Sequence, residues 1–93
     1  MEHFTFNERL QLYLPNLQKD YYSLSDLERS NLKAQWEKIR STIPDKIKQL
    51  DKIIVKKQNL LAKEANLEKA HEINEEIAVL ASKVNDLWIW FRS

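Results

Sequence analysis

The 93 residues, 43% hydrophobic and 31% charged, have room for one hydrophobic core and enough apolar side chains to build it. Glycine and cysteine are both absent, which excludes glycine-rich phosphate loops, disulfide frameworks and thiolate metal sites together. A formal net charge of +1, from 15 basic and 14 acidic residues, leaves no whole-molecule field to draw the chain onto nucleic acid or an anionic membrane.

Without glycine, turns fall to proline, asparagine, aspartate and serine. The first break is Pro15, which disfavours helical geometry at Leu14, so a short N-terminal helix is expected over about residues 7–14. Ser23 stands three residues before Asp26 in the spacing of a capping box, with Tyr22 and Leu27 at the flanking staple positions. A second helix is therefore expected over about 24–42. Its apolar face is Leu32, Trp36, Ile39 and Ile43, at spacings of 4, 3 and 4. Pro44 reads either as a first-turn residue of a new helix, with Asp45 at the positive end of its dipole, or as a kink in a continuous one. A break is the preferred reading, although Ile47, Leu50 and Ile54 continue the stripe. One or two helices then cover about 44–92, with a turn near 64–70 where Asn66 suits an N-cap.

Charge is partitioned along this last stretch. Residues 45–63 carry six basic and two acidic side chains, and residues 64–93 carry three and six. On a helical wheel Lys48, Lys52, Lys56 and Lys63 fall within about 80°, and Glu64, Glu68, Glu72, Glu75 and Asp86 share a sector of about the same width. Opposed stripes point to an antiparallel pair, either a hairpin within one chain or two rods in a dimer. Two solvated outer faces are the competing reading, since exposed ion pairs contribute under about 1 kcal/mol.

Ile73, Ile77, Leu80, Val84, Leu87 and Phe91 repeat at 4, 3, 4, 3 and 4, a heptad seam. Next to its end, Trp88, Ile89, Trp90 and Phe91 put apolar groups on all sides of one helix. Unless other residues of the chain cover them, they meet a partner surface, where aromatics are enriched. The expected fold is all-α: a single antiparallel helical bundle or long helical hairpin with coiled-coil-like packing, completed by dimerisation. Its dimer or partner interface is expected at Ile73, Ile77, Leu80, Val84, Leu87, Trp88, Trp90 and Phe91.

Little reactive chemistry is written in the chain. Glu68 and His71 have the Glu-x-x-His spacing of di-iron bundles, but they lie about 140° and 160° from the centre of the seam, outside any core. No metal and no cofactor are expected. Carboxylates occur only on polar helix faces, and no nucleophile is paired with a base by spacing. No apolar run exceeds five residues, against roughly 20 for a bilayer span. With no secretory signal at Met1 to Arg9, a cytoplasmic location is the default expectation.

The stretch from Ile47-Lys48-Gln49-Leu50-Asp51-Lys52-Ile53-Ile54 to Leu60-Leu61-Ala62-Lys63-Glu64 is weakly similar to the long first helix of the all-helical chorismate mutase family. The resemblance implies a small dimeric helical enzyme holding a dicarboxylate with basic side chains. Where that family has an arginine on this helix, the present chain offers Lys56, Lys57 and Gln58. The principal expectation is a non-catalytic protein-protein interaction module, a small adaptor or regulator acting as a homodimer. Weak nucleic-acid binding through the lysine face of Lys48, Lys52, Lys56 and Lys63 is disfavoured but kept as the first alternative, and the mutase-like enzyme as the second.

Overall fold

The computed structural model describes residues 3–17 and 20–93. By its internal contacts the chain divides into two compact units, Met1–Thr42 and Ile43–Ser93. It is mostly helical, with a small N-terminal β-hairpin.

That hairpin corrects both the expected helix over 7–14 and the all-α class. β1, Phe4–Asn7, pairs antiparallel with β2, Leu12–Pro15, setting Phe4 opposite Pro15, Phe6 opposite Tyr13 and Asn7 opposite Leu12. Leu10, Leu12 and Leu14 are buried while Gln11 and Tyr13 are exposed, a two-residue alternation that a strand satisfies. A helix would turn Leu12 about 160° or more from both Leu10 and Leu14 and leave it in water. The reversal is built without glycine. Asn7 Oδ1 accepts the Leu10 N–H at 2.9 Å, the Gln11 amide donates to the Glu8 carbonyl at 2.7 Å, and Gln11 takes the left-handed conformation at φ 54°. Pro15, with no N–H to give, closes β2, and the Asn16 N–H extends the pairing to the His3 carbonyl at 2.7 Å. Phe6 and Tyr13 meet edge to face across the strands, centroids 5.1 Å apart.

α1 spans Asp26–Arg40. Its N-cap is Ser25, in a capping box with Glu28, where Ser23 and Asp26 were expected. The reason is reach: at the third helical position the longer glutamate returns to the cap N–H, at 3.2 Å here. Ser23 instead closes a short 3₁₀ turn, Tyr21–Ser23, by donating to the Asp20 carbonyl at 2.7 Å. With the cap moved two residues, Tyr22 and Leu27 no longer occupy staple positions, and both are exposed. Phe4, Leu24 and Leu32 form the core of this unit, with Tyr21, Trp36 and Ile39 packed against it. Of the apolar face expected from Leu32, Trp36, Ile39 and Ile43, the first three are used as such, whereas Ile43 belongs to the next helix.

α1 ends without a glycine cap. Hydroxyls of Ser41 and Thr42 donate to the carbonyls of Lys38 and Ile39, each at 2.7 Å, satisfying groups a helix end leaves open. α2 then spans Ile43–Lys63. Pro44 sits in its first turn, where a missing N–H costs no intrahelical bond, so the chain breaks before Pro44 as preferred above.

α2 and α3, Leu67–Phe91, pack antiparallel as a hairpin within one chain. This resolves the choice between hairpin and rod. Glu64 to Asn66 make the turn: Glu64 Oε1 accepts the Asn66 N–H at 3.0 Å, and Asn66 Oδ1 accepts the N–H groups of Glu68 and Lys69 at 2.9 and 3.2 Å. Asn66 is the N-cap expected of it. The more buried positions of α2 are Lys46 and a series at heptad spacing, Ile43, Ile47, Leu50, Ile54, Lys57 and Leu61.

Candidate interaction surface

The α3 seam repeats that spacing. Ile73, Ile77, Leu80, Val84 and Phe91 are half-buried, and Leu87 is only 1% exposed within the single chain. At the end of the helix Trp88 remains exposed and meets Phe91 edge to face at 5.7 Å, while Trp90 is half-buried. Ile89 is 54% exposed.

The flanks of the hairpin carry what seam reasoning missed. On one of them Ile53, Lys57, Glu72, Glu75, Glu76, Val79 and Leu80 line an open groove of about 520 Å³. Its floor is aliphatic: Ile53, Leu80, and Val79, the last 56% exposed. Its border is acidic. The one lysine there, Lys57, donates to Glu76 Oε2 across the two helices at 2.5 Å, leaving Glu72 and Glu75 as the outer carboxylates. Glu75 also lies 3.2 Å from His71 Nε2, one helical turn away, with both side chains in solvent.

Lys48, Lys52, Lys56 and Lys63 are all exposed. Lys56 and Lys63, with Asn59, surround Leu60, which is 58% exposed, in a shallow recess of about 340 Å³. Ile53 and Leu60 are seven residues apart, about 20° on the wheel and about 10 Å along the axis. The acidic groove and the lysine-flanked leucine therefore share one flank of α2. Lys57 and Glu76, which join the helices, belonged to neither predicted charge stripe. A signal for this flank was present in the sequence as a second, weaker 3-4 spacing: Ile53, Lys57 and Leu60 on α2, with Glu72, Glu76 and Val79 on α3.

In the first unit a smaller recess of about 140 Å³ is lined by His3, Glu28, Asn31, Leu32 and Gln35. Glu28 is engaged at the α1 cap. Among the described residues, no group of three or more His, Cys, Asp or Glu side chains is placed to hold a metal ion, and no helix is long and apolar enough to cross a membrane. The chain matches no family model, and no curated protein or solved structure is significantly similar to it.

Proposed function

We propose that this protein is a non-catalytic protein-protein interaction module that works as a homodimer through its helical hairpin. The observation that carries the reading is the apolar side chains left outside a hairpin whose seam is already occupied: Ile53, Leu60, Val79, Trp88 and Ile89 all remain exposed. Isolated exposed aliphatics are ordinary, whereas aliphatics gathered in a groove with a polar border have the composition of an interaction surface. The mutase-like alternative needs basic groups converging on a dicarboxylate. Lys57 is instead engaged by Glu76, Lys56 and Gln58 are both exposed, and the adjoining groove is bordered by carboxylates that repel such a substrate. The same border opposes phosphate backbones, which disfavours the nucleic-acid alternative on this flank.

Sedimentation equilibrium over a range of loading concentrations tests the reading. A concentration-dependent dimer is the expected result, and a monomer at every concentration overturns the homodimer.

A further inference from the structure

We infer that the groove beside Ile53 and Val79 docks an amphipathic helix of a partner protein, one whose aliphatic stripe is edged with lysine or arginine. The inference rests on the interaction-module reading and names the class of its partner, but it does not need the dimer.

The chemistry of the groove sets the chemistry of its occupant. Ile53, Val79 and Leu80 make the aliphatic floor, and Val79 is 56% exposed, so a partner side chain seated there takes from water an apolar surface that the hairpin leaves uncovered. The border holds three carboxylates, Glu72, Glu75 and Glu76, against one ammonium, and that ammonium, of Lys57, is already given to Glu76 at 2.5 Å. Among the described residues no lysine or arginine pairs with Glu72 or Glu75. An occupant that brings cations to these two carboxylates is favoured, and one that brings further carboxylates is repelled.

The walls set its form. Both are helices, whose backbone groups are paired within themselves, so they offer no strand edge, and an incoming segment satisfies its own N–H and C=O groups only as a helix. The α3 wall runs from Glu72 to Leu80, eight residues on and about 12 Å along the axis. Two turns of an incoming helix span about 11 Å, which sets apolar side chains at i, i+3, i+4 and i+7 against the floor and basic ones beside them against the border. Trp88 stands nine residues beyond Val79, about 180° away around α3. A second copy can therefore use the Trp88 side of the hairpin while the groove holds a partner.

The probe is a synthetic helical peptide with leucine at i, i+3, i+4 and i+7 and lysine along one edge of that stripe, labelled and titrated with the full chain by fluorescence anisotropy. Saturable binding is expected. It should weaken about fivefold in Glu72→Gln with Glu75→Gln, which removes two exposed ion pairs, and at least tenfold in Val79→Lys, which sets a bulky cation on the floor. Glu8→Gln with Asp51→Asn makes the same change of net charge at residues that do not line the groove, and it is expected to bind like the parent. Glu72, Glu75 and Val79 are all exposed, so these variants should fold, and circular dichroism checks that each keeps the helix content of the parent. No binding by the parent, equal weakening by Glu8→Gln with Asp51→Asn, or equal binding of the same peptide with glutamate in place of lysine each overturns the inference while leaving the homodimer reading intact. A dimer that dissociates as peptide is added, with dimerisation lost in Val79→Lys, gives the groove to a second copy and also overturns it. A parent that is monomeric at every concentration yet binds the peptide overturns the homodimer and supports the groove.

Discussion

Leu87 shows what a single side chain contributes. Among the described residues it and Ile43 are the largest side chains that are essentially inaccessible, so truncation removes apolar contacts and leaves a void that the surroundings fill incompletely. Leu87→Ala is expected to lower unfolding free energy by about 3 kcal/mol, measured by urea denaturation at fixed protein concentration. Leu67 has the same side chain at the first position of the same helix, 86% exposed. Leu67→Ala is expected to change stability by less than about 0.5 kcal/mol. A loss as large as that of Leu87→Ala would show that Leu67 is covered in solution. The contrast was only half legible in the sequence: the seam spacing marks Leu87 as inward, but burial to this depth depends on neighbours far along the chain.

At the scale of elements, cap chemistry decides where helices begin. Asn66 accepts two backbone N–H groups at the start of α3, and Asn66→Ala is expected to cost about 1 kcal/mol, with Asn66→Asp retaining most of it. Equal urea midpoints for Asn66→Ala and the parent would remove the cap from the stability of the hairpin. Asn66 could be read in advance because an N-cap is a local device, chosen by side-chain length and the turn that follows. Ser25 was missed for a related reason: Ser23 and Ser25 each precede an acid by three, and only the reach of Glu28 over that of Asp26 separates them. The N-terminal strands were missed because Pro15 states where a helix cannot continue, not that one precedes it. The alternation of Leu10, Leu12 and Leu14 was the competing signal. Lys57 is a third case, a charged residue at a seam position of α2. Its pairing with Glu76 favours one register of the two helices, the use best attested for a polar group in an apolar seam.

For the whole molecule, a net charge of +1 conceals strong local separation, with lysines concentrated on α2 and carboxylates on α3. Such a molecule has little long-range field but contacts that respond to salt. Dimerisation that brings the lysine-rich face of one copy to the carboxylate-rich face of another is expected to weaken severalfold between about 0.05 M and about 0.5 M salt, as the screening length shrinks from more than 10 Å to a few Å. Sedimentation or light scattering at each salt concentration reads this directly. An unchanged or tighter dimer at high salt would mean that apolar contacts alone hold it.

By itself the sequence placed helix over about 24–42 and about 44–92 and marked the two seams, and it preferred a break at Pro44 and offered Asn66 as the cap of a turn near 64–70 without deciding between one helix and two. These follow from spacing, proline geometry and capping, which act over one or two helical turns and need no knowledge of the rest of the chain. Tertiary structure alone decided that residues 4–15 pair as strands, that α2 and α3 close on each other within one chain, and that Ile53, Leu60 and Val79 stay outside. Strand pairing joins residues 5 to 11 apart, and helix closure joins residues such as Lys57 and Glu76, 19 apart. Which flank remains open depends on which neighbours cover it, and no local period in the sequence records that.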